Sequence, residues 1–581
     1  MTTTMLLSTL AKRAVSVSVP VSGRGPMALL AIRNPTSRRP ASSNAQFQAA
    51  AATATATASA AQVCDIGPSS SGNITPIFDP RAATATPPGA ARDPGPRTLN
   101  LIDHHHHHQH PVVVSMGFPQ DYDEFWRQVP VWRDVSAREF LSYRWSTKNM
   151  VDNKARLLSF LQAVVPDEVP LDKESGRTQT RDEYIEDVFA GITAATMSVR
   201  MTPYILSRID WRDPRHDPIA RQFLPLKSVM KPDHPKLTLD SLGEEADSPV
   251  KGLVHRYPDK VLFLATSVCP TYCTFCTRSY AVGADTALVT KRPLRPGRQR
   301  WDAAIGYIAS TPQVQDVVVS GGDSYYLTPD QLRTIGHRIL TEAPHVKRIR
   351  FASKGLAVAP GRVLSPAQWN QVLGPGGGGG GETGRSEAEG GDGWAEALIE
   401  VSQRARREGR QIAWHTHFNH PREISWITRV ASQRLYEAGV IVRNQTVLLR
   451  GVNDDVETMG QLIRGLADIN ISPYYVYQCD LVKSVEHLRT PLHTILDLES
   501  RLRGSIAGFA MPSFVVDLPG GGGKRLACSF ESYDRETGVS RFRAPAVKGR
   551  DGTKEGKVYE YYDPVDSLPR PEVWETVERR E

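Results

Sequence analysis

Nothing in this chain of 581 residues approaches the ~20 consecutive apolar residues that a membrane-spanning helix requires; its longest apolar runs, such as Val261 to Ala265, are far shorter. A membrane-spanning protein is therefore excluded. Cysteine is scarce as well, with six in the whole sequence, too few for a disulfide scaffold. Three of them fall within one stretch of eight residues, a spacing that reads as a metal or cluster site in a reducing compartment. Acid is absent from residues 1 to 64, where Lys12, Arg13, Arg24, Arg33, Arg38 and Arg39 supply six positive charges. Taking those six from the net +7 leaves the rest of the chain at +1. The basic balance thus belongs to one terminal stretch, and no nucleic-acid partner is indicated.

That acid-free stretch is rich in Ser, Thr, Ala and Arg, the composition of an organelle transit peptide. A mitochondrial location is the expectation, with a low-complexity tail and a cytoplasmic protein as the alternative. Residues 50 to 60 alternate Ala and Thr, residues 80 to 97 are rich in Pro, and His104 to His108 with His110 form a histidine tract. Such segments bury too little apolar surface to offset chain entropy, so a disordered tail is expected over 1–110. Nothing near the histidine tract fixes a metal geometry.

From Phe125 to about residue 206 apolar residues recur at helical spacing, and 111–250 is read as a helical N-terminal segment. From 251 to 480 the pattern changes. Short β-rich runs at 261–266, 316–319, 347–352, 412–415, 442–448 and 473–478 alternate with helical stretches, which predicts an α/β fold with six βα units in a partial (β/α)6 barrel. Chemistry in such a barrel sits at the carboxyl ends of the strands. A glycine-rich insertion at 374–393 interrupts the rhythm, and 481–581 forms a C-terminal segment and tail.

Directly after the first apolar strand comes Cys269-Pro-Thr-Tyr-Cys273-Thr-Phe-Cys276. Three thiolates on one loop suit three irons of a [4Fe–4S] cluster and leave the fourth iron open to an outside ligand. Structural zinc is the competing reading, but zinc wants four ligands, and Cys64, Cys479 and Cys528 are remote in sequence. The loop, with Phe275 before its last cysteine, resembles the signature of the radical S-adenosylmethionine (SAM) superfamily. Ser320-Gly321-Gly322-Asp323, at the end of the next predicted strand, resembles that superfamily's motif for the SAM amino group. Paired glycines let backbone approach a ligand closely.

Two further constellations lie late in the chain. Asp517-Leu-Pro-Gly520-Gly-Gly-Gly523-Lys524 is not a phosphate-binding Walker loop, because Arg525 follows the lysine. A lysine after a flexible glycine run can swing into a site to carry a carbonyl cofactor, or it can be a solvated residue on a surface turn. Asp480 and Asp517 each close a predicted strand. Together they can recognise an alkylammonium; singly, either is a helix cap or an ion-pair partner.

As a set these pieces resemble the lysine 2,3-aminomutase family, which joins radical SAM chemistry to pyridoxal 5′-phosphate (PLP). The resemblance runs from about Trp126 to beyond Asp517. It rests on Asp247-Ser-Pro-Val-Lys-Gly-Leu-Val-His-Arg-Tyr-Pro-Asp259, the cysteine loop, His415-Thr-His-Phe-Asn-His-Pro421, Asn444-Gln-Thr-Val-Leu-Leu-Arg-Gly-Val-Asn-Asp454, Tyr474 to Asp480, and Asp517 to Lys524. It implies that Cys269, Cys273 and Cys276 hold the cluster and that Lys524 is the PLP Schiff-base lysine. It further implies that Arg256 and Tyr257 line the PLP pocket, with Arg256 on the phosphate. Ser320, Gly321, Gly322, Asp323, His417 and Gln445 would line the SAM site. Arg278 would hold the substrate carboxylate, and Asp480 and Asp517 the side-chain ammonium.

Lys260, Ser279-Tyr280 and Ser353-Lys-Gly-Leu-Ala depart from the bacterial pattern near the cofactor pocket. The cysteine cluster that binds zinc in some members is absent from the C-terminal region. The long N-terminus and the glycine insertion suggest a eukaryotic member. The implied function is conversion of L-lysine to L-β-lysine by a homo-oligomer served by an electron donor. The rivals are an aminomutase of another amino acid or of a protein lysyl group, and a non-catalytic iron–sulfur protein.

Overall fold

The computed structural model describes residues 122–569, apart from 173–174, 293, 295–296, 374–391, 548 and 550–551. The expected tail over 1–110, its histidine tract and nearly all of the glycine insertion lie outside the described residues. Among the described residues no helix is long and apolar enough to cross a membrane.

The N-terminal segment is mainly helical, with the helices Lys154–Val164 and Arg181–Thr193 as its longest. Leu157, Phe160, Leu161 and Val164 fall at the i, i+3, i+4 and i+7 spacing of one buried face. Thr180 and Glu183 satisfy each other's backbone N–H at the start of the second helix, a reciprocal cap that the Thr-x-x-Glu spacing encodes. Two short antiparallel strands, β1 (Glu168–Pro170) and β2 (Thr178–Thr180), join these helices where helix alone was expected. The segment is anchored to the rest of the chain by the buried Tyr204 hydroxyl, which donates to the Glu423 carbonyl at 2.9 Å.

The main sheet begins with β3 (Leu253–Tyr257), antiparallel to β4 (Lys260–Thr266). From β4 the strands run parallel and in sequence order: β5 (Asp316–Gly321), β6 (Arg348–Ala352), β7 (Gln411–Thr416), β8 (Ile441–Val447) and β9 (Ser472–Tyr477). Each of the six strands read from the sequence is present, and the barrel is partial as expected. Buried Val261, Phe263, Val317, Val319, Ile349 and Phe351 pack in one cluster with Ile305, Ile308, Ile335 and Ile339 of the flanking helices, while the alternate residues Leu262, Val318 and Arg350 line a cavity. The sheet then continues past residue 480. β10 (Ser513–Leu518) adds in parallel to β9, and β11 (Gly523–Leu526) turns back antiparallel on β10. A separate three-stranded antiparallel sheet of β12 (Ser532–Asp534), β13 (Val539–Arg543) and β14 (Val558–Tyr562) ends the chain's described part.

Candidate active site

The cysteine loop leaves the end of β4 and is pinned by the helical segment. Tyr272 N donates to the Arg200 carbonyl at 2.9 Å, and Thr274 N and Oγ1 both donate to the Gln222 carbonyl. Cys269, Cys273 and Cys276 thereby line one cavity of about 290 Å³. Burial pushes all three thiols up, Cys273 to about 12, and the neighbouring thiols raise Cys269 and Cys273 further. All three side chains are half-buried on the cavity wall. Among the described residues no three such side chains converge on a point that one metal ion would fill.

Gly321 and Gly322 line the same cavity, but the reason for glycine is local packing. A Cβ on Gly321, whose φ is +119°, would lie 2.1 Å from the Thr266 carbonyl oxygen, and one on Gly322 would lie 2.4 Å from that of Val268. The glycines let the end of β5 press against the start of the cysteine loop, beside the cavity that both residues line. Asp323 is also engaged. Its carboxylate accepts from Tyr325 N at 2.7 Å and Lys354 N at 2.8 Å, so it caps two backbone turns. Ser320 is buried beside it.

His417 follows β7 and leaves Nε2 buried with no hydrogen-bond partner. Burial, then the nearby Lys354 ammonium, drives its basicity far down, so the ring is neutral. Gln445, on β8, is spanned by its neighbours: its Nε2 lies 2.9 Å from His415 Nδ1 and its Oε1 accepts from Tyr477 OH at 3.0 Å.

At the other end of the cavity Arg278, Asp480, Asp517 and Lys524 come together. Asp480 accepts from Thr277 Oγ1 at 2.8 Å. Burial, then the charge of Asp517, pushes its carboxyl up to about 7. Asp517 sits on β10 directly opposite Lys524 on β11 and is ion-paired with its ammonium, while Asp517 Oδ1 is buried without a partner. Arg256 and Tyr257, alone among the candidate site residues, do not line this cavity. They line an adjoining one of about 150 Å³, which shares Arg278, Gln445, Asp517 and Lys524. Arg256 Nε donates to Asp247 at 2.7 Å and Nη2 to the Leu242 carbonyl at 2.5 Å.

The glycine run before Lys524 is a packed turn, not a flexible lead. A Cβ on Gly522 would lie 2.7 Å from the Tyr559 ring and 2.8 Å from Leu518. Sequence reading passed over several side chains at the site. Glu244 pairs with Arg278, Lys554 shares Asp247 with Arg256, and Lys354 reaches Glu423. Tyr477 lies under Lys524, with the ammonium 5.4 Å from its ring centre. Lys354 carried a signal as part of a string that departs from the bacterial pattern, and Tyr477 as part of one that matches the family; Glu244 and Lys554 carried none.

No family model matches the chain. It is 36% identical over 401 residues to the L-lysine 2,3-aminomutase of Clostridium subterminale, covering 68% of this chain and 80% of that one. It is 33% identical over 399 residues to that of Bacillus subtilis, covering 69% and 71%. A glutamate 2,3-aminomutase of Clostridioides difficile is 30% identical over 347 residues, covering 60% and 70%. With four-fifths of the first of these relatives covered, the chain belongs to the lysine 2,3-aminomutase family of radical SAM isomerases.

Proposed function

We propose that the protein is a SAM- and PLP-dependent 2,3-aminomutase that converts L-lysine to L-β-lysine. The observation that carries this reading is the pair Asp480 and Asp517 on one cavity wall: a half-buried carboxyl pushed up to about 7 and a buried carboxylate with an unpartnered oxygen. Two anions so placed are a receptor for one cation, and a lysine side chain ends in one. A glutamate side chain would instead be repelled.

The other residues fit the groups the family uses. Cys269, Cys273 and Cys276 would hold a [4Fe–4S] cluster, with Ser320, Gly321, Gly322, Asp323, His417 and Gln445 around SAM. Lys524 would anchor PLP, Arg256 would take its phosphate, and Tyr257 would wall the ring. When bound, the cluster with SAM supplies hydrogen abstraction by a one-electron route, and PLP supplies the conjugated carbonyl through which an amino group shifts between adjacent carbons. Arg278 offers its planar fork to the α-carboxylate, and Asp480 with Asp517 grips the far end, so the substrate is stretched between two fixed charges. Lys524 must leave Asp517 to carry PLP, which frees that carboxylate for the substrate ammonium. The reading also includes a dedicated electron donor, a eukaryotic source, a homo-oligomer, and mitochondrial import by residues 1–64, the last testable by fusing them to a fluorescent reporter.

The deciding experiment is an anaerobic assay of reconstituted, reduced protein with SAM, PLP and either lysine or glutamate. Formation of β-lysine supports the reading. Turnover of glutamate with none of lysine overturns it.

A further inference from the structure

The stretch from Thr238 to Asp247 carries no candidate site residue from the sequence, yet it bonds to Arg256, Arg278, the glycine turn before Lys524 and the residue after Asp480. Thr238 N donates to the Leu481 carbonyl next to Asp480 at 3.0 Å, and Gly520 N of the glycine turn donates to the Ser241 carbonyl at 2.8 Å. The Leu242 carbonyl accepts from Arg256. Glu244, 3% exposed, faces Arg278. Its Oε2 accepts from Arg278 Nε at 2.9 Å and its Oε1 from Arg278 Nη2 at 2.6 Å, while Tyr280 OH donates to Oε2 at 2.9 Å. Glu244 N is itself tied to Asp240 Oδ1 at 2.9 Å. Arg278 Nη1 has no partner among the described residues, and Arg278 lines both cavities.

We infer that Glu244 is a positioning residue: by occupying the Nε–Nη2 edge of Arg278 it turns the Nη1 edge toward the substrate α-carboxylate. The inference rests on the reading of Arg278 as the carboxylate-binding residue. A guanidinium on a long side chain has many orientations, and a two-point bond to a fixed carboxylate selects one plane. Ordering it in advance removes that entropic cost from substrate binding. Tyr280 completes the device by fixing the carboxylate from a third direction. The competing geometry has Glu244 as a gate that occupies Arg278 until substrate displaces it, and the two predict opposite signs.

The test is titration of PLP-loaded protein without SAM, so that nothing turns over, with L-lysine or with lysinamide, which lacks the carboxylate. Binding is followed by the cofactor's absorbance. Glu244→Gln is expected to weaken lysine at least tenfold and lysinamide less than twofold, with PLP occupancy and iron content unchanged. Tyr280→Phe, the milder variant, is expected to weaken lysine two- to fivefold in the same selective way. In Arg278→Lys, adding Glu244→Gln should cost lysine binding nothing further. Equal losses for lysine and lysinamide, or tighter lysine binding in Glu244→Gln, overturn the inference. If Arg278→Lys itself leaves lysine binding unchanged, it is the assignment of Arg278 that falls.

Discussion

Asp517 and Lys524 are a cross-strand pair, directly opposite in the antiparallel register of β10 and β11, with the lysine ammonium bonded to the carboxylate. Burial works against the charge on Lys524, but Asp517 first, then Tyr257 and Tyr477, hold its basicity well above the ordinary lysine value. Asp517 is correspondingly held below the usual carboxylate range despite its burial, chiefly by Lys524 and Arg256. Lys524 therefore rests as an ammonium, which cannot attack a carbonyl; on the proposed reading Asp517 would hold first that ammonium and then the substrate's.

Replacing Asp517 with Asn should separate those two duties. Without its counter-ion the buried Lys524 loses its proton more readily, so capture of added PLP at pH 7, followed by absorbance, should be faster than in the parent. Lysine binding should weaken by more than tenfold, because removing one partner of a desolvated charge pair costs on the order of 2 to 5 kcal/mol. Slower PLP capture together with unchanged lysine binding would contradict both roles.

Asp480 should set the acid limb of substrate binding. Its carboxyl is pushed up from the ordinary 3.8 to about 7, by burial first and the Asp517 charge second. Between those values the folded protein keeps a proton that the unfolded chain has lost, so this group's contribution to stability falls as pH rises and its penalty is complete above about 7. An ammonium binds the ionised form. Affinity for lysine should thus climb by up to about tenfold per pH unit toward pH 7, and Asp480→Asn should flatten that climb while raising the melting temperature of substrate-free protein at pH 8.

The six parallel strands were legible because a strand buried on both faces is a short continuous apolar run, as in Val317 to Val319, punctuated by amphipathic helices. The cysteine loop was legible because three cysteines within eight residues directly after a strand form a local pattern. What was not legible is long-range. Lys524 faces Asp517 only because Gly520 to Gly523 form a tight turn packed on Tyr559, and a run of glycines reads equally well as a loose loop. Glu244 lies 34 residues before Arg278 in a segment with little regular structure, and no local pattern ties the two. Asp323 also bonds through its two oxygens to the backbone N–H groups of Tyr325 and Lys354, and the second of these lies too far along the chain for a local pattern to show.

The three loop cysteines should stand or fall as a unit. Cys273→Ala is expected to reduce iron in anaerobically reconstituted protein to a trace and abolish SAM cleavage, because two thiolates do not hold a cluster with an open iron. Cys528, exposed and away from the cavity, serves as the control, and Cys528→Ala should keep full iron content. Retention of iron and SAM cleavage in Cys273→Ala would remove the cluster assignment.

Lys260 begins β4 with its ammonium 3.7 Å from the centre of the Tyr257 ring, on the wall of the smaller cavity. Burial, then the positive charges of Lys524 and Arg350, pulls it down from 10.5 to about 7, with Asp316 and Asp517 opposing. Below about 7 both folded and unfolded chains carry the proton and the cost of burying the charge is fully present. Between about 7 and 10.5 the unfolded chain keeps a proton that the folded one has released, so stability should rise with pH, by at most about 1.4 kcal/mol per unit. Lys260→Met, which keeps the length without the charge, should therefore stabilise cofactor-free protein most below pH 7 and progressively less toward pH 10. Lys260→Arg cannot release its proton and should lose the rise altogether. Thermal melts of the three proteins from pH 6 to 10 decide it: parallel curves for parent and Lys260→Met would mean that this amine stays charged in the fold, held there by Asp316 and Asp517.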